Sequence, residues 1–424
     1  MTHQVALTVS ATIARARRDD LSLVLDTMRV EGAGQNSILP LAQLAGVHFA
    51  RLFTVEESTD LDGDLLPARL VYMADLDAPL HRHLRELVTV FSAGTDTLFG
   101  HCEGYPTQPD PRTRLAWLRA RTVAPAATYV HRIGRTVAQV HEERRLRDSI
   151  ESFLDLPDAV PAQLTATEAH GRVRSFALRR DDLHWARRRP RGVGLTYRVR
   201  DTAHRVALPL AAVVLLPVLL PAVVVMLLLI RWRERTDVVE SGPAPAEHVH
   251  DLEGTEDHVA QNAFTALGLV KRGRLRRLAM RGVLIGLDYA NRHIYNRDNL
   301  AGVRTIHFAR WVPIDDGRRL IFASSYDGSL ESYMDDFIDR LAWGLNAVFS
   351  NGVGYPATRW LVTGGANDET AFKNYLRNRQ VVTPVWYSAY DEVPARNVDA
   401  NSQVRLDLPR GLDERAADEW LALL

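Results

Sequence analysis

The tetrapeptide His48-Phe49-Ala50-Arg51 occurs again at His307-Phe308-Ala309-Arg310, and the likeness continues downstream of it. Leu70–Pro106 aligns without a gap on Leu320–Pro356, sharing Leu70/Leu320, Asp77/Asp327, Leu80/Leu330, Gly94/Gly344, Phe99/Phe349 and a Gly-Tyr-Pro at 104–106 and 354–356. Eight identities in 37 positions would be weak alone. With the tetrapeptide at the matching place upstream and the apolar pattern in step, they imply an internal duplication. At 424 residues the chain has room for two such units, each with its own core.

Each copy reads strand, helix, strand, strand, helix, strand. In the first, Val5–Ile13 alternates, Asp19–Arg29 has helical spacing, and Val47–Val55 and Arg69–Asp75 alternate again. Pro79–Gly100 then carries Leu80, Leu84, Leu87, Val88 and Phe91 on one stripe, and Ala127–Val130 closes the unit. Asn262–Val270, Arg274–Tyr295, Thr305–Ile314, Arg318–Ser324, Ser329–Phe349 and Pro384–Ser388 hold the same places in the second. This is the α+β, ferredoxin-like βαββαβ order. The expected organisation is a first repeat over 1–155, a connecting region over 156–258, a second repeat over 259–405 and a C-terminal helix over 406–424. Such a sheet has helices on one face and needs cover on the other. Two copies packed face to face supply it.

Between the copies lies Val206–Ile230, 25 residues without a charge. At about 1.5 Å per residue a helix of that length matches a hydrocarbon core of about 30 Å, so membrane lipid is an expected partner. Pro209, Pro217 and Pro221 interrupt it, and each removes a backbone donor. Both flanks are basic: 171–205 holds 11 Arg against three Asp, and Arg231, Arg233 and Arg235 follow the segment. The positive-inside tendency places both ends, and with them the folded domains, on the cytoplasmic side. The expectation is a proline-broken hairpin dipping into one leaflet, with a single span as the alternative. Arg187, Arg188, Arg189, Arg191, Arg231, Arg233 and Arg235 are the candidates for anionic lipid headgroups. Residues 242–257, with Glu247, Glu253, Glu256 and Asp257, read as a flexible acidic linker.

A formal net charge of zero supplies no global excess for nucleic acid, and none is expected as a partner. Cys102 is the single cysteine, which excludes an internal disulfide and any multi-cysteine metal site, and no metal ligand set is read elsewhere. Period-two alternation separates Ile306, Phe308, Arg310 and Val312 from His307, Ala309 and Trp311. If the more apolar set packs on the helices, His48 and His307 point into the shared interior beside small alanines. They then become candidates for acid–base chemistry or haem ligation. Asp77 and Asp327 end a strand and precede a helix, so a capping carboxylate is the plain alternative to a catalytic one.

Two face-to-face units of this kind resemble the dimeric α+β barrel superfamily, which includes dye-decolourising peroxidases and chlorite dismutases. The segments HFARW, SSYDGSLESYMDDFID and TPVWYSAY also resemble an uncharacterised bacterial family. The resemblance implies an intramolecular barrel and possible haem-dependent oxidoreductase chemistry, with His307, Asp327 and His48 as the catalytic candidates. Tyr326-Asp327-Gly328 matches the end of the peroxidases' Gly-x-x-Asp-Gly motif, with Ser324 where its first glycine stands. Trp311, Tyr326, Asn351, Trp386 and Tyr387 are candidates to line a pocket for a small apolar ligand. Two functions stay open: a membrane-surface oxidoreductase acting on an apolar substrate, and a non-catalytic lipid- or partner-binding scaffold.

Overall fold

The computed structural model describes residues 3–157, 159–161, 163–190, 192–240, 242–295 and 300–424. Alternating sequence becomes two four-stranded antiparallel sheets. The strands are β1 (Gln4–Thr12), β2 (Val47–Val55), β3 (Arg69–Asp77), β4 (Ala127–Val130), β5 (Gln261–Leu269), β6 (Ile306–Ile314), β7 (Arg319–Asp327) and β8 (Val385–Ser388). One sheet runs β1-β3-β2-β8 and the other β4-β6-β7-β5.

The closing strands are therefore exchanged. Val385 lies opposite Leu52 and Ser388 opposite Phe49, while Ala127 lies opposite Trp311 and Val130 opposite Phe308. The expectation that Ala127–Val130 closes its own unit is corrected: β4 completes the sheet of the C-terminal half, and β8 that of the N-terminal half. Each short strand finds its open hydrogen-bonding edge across the molecule, so neither half is complete alone.

Helices cover the outer faces. α1 (Arg18–Glu31), α2 (Leu80–Thr89), α3 (Ser92–Phe99) and α4 (Pro111–Ala120) surround the first sheet. The stretch expected as one helix over 79–100 is broken between α2 and α3. Beyond β4 lie α5 (Val137–Leu154), α6 (Ala166–Arg179), α7 (Leu195–Arg233) and α8 (Ala246–Glu253). α9 (Arg274–His293), α10 (Leu330–Phe349) and α11 (Glu369–Arg379) cover the second sheet, and α12 (Ala395–Asp407) and α13 (Glu414–Leu421) end the chain. Their starts are written locally. Asp110, Thr136 and Thr165 each form a reciprocal capping box with Thr113, Gln139 and Glu168, a cap being worth about 1 kcal/mol.

The inner faces meet in a core of Phe53, Val55, Val71 and Met73 from one sheet and Val312, Ile314, Ile321 and Ala323 from the other. Burying a large apolar side chain there contributes about 1.5–3 kcal/mol before the entropy of ordering it. Two arginines stitch the faces together. Arg51 donates to the Phe264 and Ser324 carbonyls (2.9 Å each), Thr265 Oγ1 (3.0 Å) and Ser325 Oγ (2.8 Å). Arg310 reaches back to the Leu7 carbonyl (2.7 Å) and the Asp75 carboxylate.

This reverses the expected facing of the strands. Ala309 and Trp311 pack under the helices, while Phe308, Arg310 and Val312 look toward the opposite sheet. The region expected as a connection is also more ordered than its composition implies. α6 packs against α5 and α13 with Trp420 buried among them. The segment read as a flexible acidic linker forms α8, with Leu252 buried and Glu256 bound to Arg377 (2.7 Å).

The apolar insert is one continuous helix, and the proline-broken hairpin is corrected: Pro209, Pro217 and Pro221 all lie inside α7. Among the described residues α7 is the one helix long and apolar enough to cross a membrane. It runs antiparallel along α9, with buried contacts confined to its ends. Near its start His204 Nδ1 meets His293 Nε2 at 2.7 Å and Tyr197 packs on His3. Near its end Ile230 is buried against Ala279 and Leu361. Just past it the Glu234 carboxylate accepts from Thr358 Oγ1 (3.1 Å), Trp360 N (2.9 Å) and Leu361 N (2.8 Å).

Candidate functional site

Both β2 and β6 slip register at one place, between Val47 and Phe49 and between Ile306 and Phe308, where each pairs with its central neighbour. A bulge gives one strand an extra residue and re-aims its side chain. The residues affected are His48 and His307. Strict alternation would put His48 on the side of Ala50 and Leu52, under the helices. The bulge turns it to the end of the space between the sheets, where it packs on Phe308 (5.3 Å between ring centroids) and Tyr390 (5.7 Å). His307 arrives symmetrically against Phe49 (5.2 Å) and Tyr390 (6.0 Å).

Each histidine has a carboxylate. His48 Nε2 lies 3.0 Å from Asp77 Oδ1 and its Nδ1 2.8 Å from the Tyr390 hydroxyl. Burial, followed by the charges of Asp75, Asp77 and Asp327, holds the Tyr390 phenol well above its usual range. It therefore stays protonated, and the imidazole bridges this hydroxyl and the Asp77 carboxylate. His307 Nε2 lies 2.7 Å from Asp327 Oδ1.

The second oxygen of each aspartate shows what the pairs do. Asp77 Oδ2 accepts from Val137 N (3.2 Å) and Asp327 Oδ2 from Ala395 N (2.7 Å), the first residues of α5 and α12. The aspartates thus satisfy helix N-termini, where a carboxylate complements the dipole. They are not the termini anticipated. α10, which follows Asp327, is capped by Ser329 instead, and α2 has no side-chain cap. Val137 stands seven residues past Val130 and Ala395 seven past Ser388, the ends of the two exchanged strands.

Sequence reading missed two glutamines in the same construction. Gln4 and Gln261 lie opposite Asp77 and Asp327. Gln4 donates to the carbonyls of Arg132 (3.2 Å) and Arg135, and Gln261 to those of Tyr390 (3.2 Å) and Val393 (2.8 Å). Those carbonyls take both hydrogens of the Gln261 amide, so its 3.3 Å approach to His307 Nε2 is packing. The signal was their place at the start of β1 and β5, but alternation gives an edge glutamine no role until its neighbour is known.

The seal is completed by α5 and α12. His131 Nε2 binds Asp399 at 2.5 Å, Ser402 receives Arg135 at 2.6 Å, and buried Glu143 accepts from Ser402 at 2.7 Å. The space left between His48 and His307 is about 20 Å³, bounded by Gln4, His131, Arg135, Phe308 and Tyr390, room for about one water. Haem does not fit there, since pockets for ligands of that class occupy about 300–1,000 Å³ and aromatic rings fill the volume. Among the described residues no three His, Cys, Asp or Glu side chains converge as metal ligands. The arrangement can fix strand ends to helix ends and hold a water.

The remaining site candidates are dispersed. Tyr326 stacks on Tyr333 with centroids 4.0 Å apart, and Trp386 stacks on Phe49. Asn351 donates to the Ala347 carbonyl (3.0 Å), and Tyr387 packs against the first half's helical core. Trp311 alone lines a sizeable cavity, an apolar one between α9 and α10. Of the headgroup candidates, Arg187, Arg188, Arg189, Arg233 and Arg235 are exposed, Arg231 is paired with Glu234 (3.3 Å), and Arg191 lies outside the described residues. No protein-family profile, curated protein or solved structure matches the chain.

Proposed function

We propose that this chain is a non-haem, membrane-attached binding scaffold. A duplicated ferredoxin-like unit closes on itself as an intramolecular α+β barrel, and α7 holds it flat on the cytoplasmic leaflet. The duplication is supported by the matched strand orders, the two bulges and the twin Gln–His–Asp constructions. The haem oxidoreductase implied by the resemblance lacks a cavity, because the interior beside His48 and His307 is sealed.

One observation carries the mode of attachment. β4 precedes α7 in sequence and β8 follows it, yet each is built into the sheet of the opposite half. Both flanks of α7 therefore belong to one body, and a single helix cannot cross a bilayer and leave its flanks on one side. The prolines agree. Each removes the donor for the carbonyl four residues earlier. Tyr289 offers its hydroxyl, 3.5 Å away, to the Arg205 carbonyl that Pro209 frees, but those of Val213 and Pro217 lie in the exposed apolar stretch. In a crossing helix they would sit near the bilayer centre, where an unsatisfied group costs several kcal/mol. In an in-plane helix they stay within reach of headgroup water, and nearby arginines add about 1 kcal/mol each on an anionic surface.

Vesicle flotation tests attachment. The full chain should float with anionic phospholipid vesicles, and Leu216→Asp/Val224→Asp should release it while leaving the circular dichroism spectrum unchanged. A doubly substituted chain that still floats would refute α7 as the anchor. A stoichiometric Soret band in the purified protein would refute the non-haem reading.

A further inference from the structure

On the outer face of the second sheet, α9 and α10 diverge around an apolar cavity of about 340 Å³. Its walls include Leu287, Trp311, Phe337 and Val348, with Gly286 on α9 and Gly344 on α10. The volume lies within the range of small-ligand sites and far exceeds the space between the histidines.

Two features do not follow from packing alone. The first is the pair of glycines. Each stands inside a helix, where glycine is about 1 kcal/mol less favourable than alanine. A Cβ at Gly286 would meet no atom within 4 Å, and one at Gly344 would only reach Leu341 Cδ2 at 4.0 Å. Steric demand from the protein therefore does not account for their small size, and they keep the cleft wide. The second is Trp311. It is 4% exposed, and its indole N–H, a donor that is normally paired when buried, has no hydrogen-bond partner among the described residues and is itself closed to solvent, so the ring offers the cleft an apolar surface.

Position identifies the occupant. α9 is the helix along which α7 lies, and it carries Leu278 and Ile285 exposed on its surface. A body held to a bilayer through α7 presents α9 and this cleft to the same lipid. We propose that the α9–α10 cavity takes a single hydrocarbon chain of a membrane lipid. This rests on the membrane attachment proposed above and names the ligand that the scaffold would hold.

The test uses detergent-purified full-length protein and cis-parinaric acid, whose fluorescence rises when its chain enters an apolar site. Saturable binding near one equivalent is expected. Gly286→Leu and Gly344→Leu fill the cleft, and both raise helix propensity, so the fold should survive. Each should weaken binding at least tenfold without lowering the thermal midpoint. Absence of saturable binding, or equal binding by wild type and both filled variants, would overturn the proposal. Flotation is scored separately on the same variants: filled variants that float but do not bind the probe support the cavity assignment, whereas a wild type that binds the probe but does not float overturns the attachment and not the cavity.

Discussion

Replacing Arg51 by Met should cost about 3–5 kcal/mol, because that guanidinium is the densest polar link between the two sheets. It is 3% exposed and makes four hydrogen bonds into β5 and β7. Burial, with Arg310 nearby, lowers its pKa to about 10, so it is charged at neutral pH. Bonds from a charged donor are worth about 1.5–3 kcal/mol each, but removing the guanidinium also recovers several kcal/mol of desolvation. What remains is the loss of four bonds from a charged donor, with the Ser325 hydroxyl losing its partner while Thr265 Oγ1 keeps Thr383 (3.1 Å) and the two carbonyls stay in the ladder between β5 and β7. Urea unfolding in mild detergent, followed by tryptophan fluorescence and circular dichroism, measures it. The midpoint should fall with the slope unchanged, and Arg51→Lys should recover little, since an ammonium cannot fork between two strands. Arg112→Met on the exposed face of α4 should shift stability by less than about 0.5 kcal/mol. A loss below about 1 kcal/mol at Arg51 would refute the face-to-face clamp.

Two further outcomes follow from the same packing. Burial pushes the His83 imidazole, bonded to the Tyr72 hydroxyl at 2.9 Å, down to about 3 from an ordinary 6.5. The unfolded chain then binds the proton first, so this residue's contribution is complete above about pH 6.5 and declines as pH falls toward 3. At pH 5 the loss is about 2 kcal/mol. Tyr72→Phe/His83→Leu should lack that component in urea titrations at pH 7 and 5, and an unchanged decline would remove His83 as its source. Because β4 and β8 are exchanged, fragments 1–190 and 242–424 should each be insoluble or unfolded alone but co-purify when expressed together. Independent folding of either would contradict the exchange.

Much of the fold was legible because it is written in short-range pattern. Val47–Val55 was read to the residue, and most other strands to within a few positions, since a half-buried strand shows its period directly. Partner choice is not written that way. Ala127–Val130 looks like the natural end of its own unit, and only the free edge of β6 determines that it leaves. The facing of β2 and β6 failed for a related reason: one bulge beside His48 or His307 changes the phase, and no residue type announces it. The histidines did reach the interior, but as anchors for distant helix ends rather than as groups with room to react. Three prolines argued for a hairpin in α7, although a helix with headgroups or water at the freed carbonyls can keep its course. The cavity at Gly286 and Gly344 was invisible because it depends on what two helices leave unfilled.

The claim on which the account rests is that both ends of α7 lie on one side of the membrane. Single cysteines at Arg198 and Arg235, both exposed and flanking the apolar stretch, can be probed with a membrane-impermeant maleimide in intact cells and inverted vesicles. Cys102 is buried, its thiol pushed up to about 12, and should stay silent. The account predicts labelling of both positions in inverted vesicles and of neither in intact cells. Labelling of Arg198→Cys from one face and Arg235→Cys from the other would mean that α7 crosses the bilayer, and would contradict it.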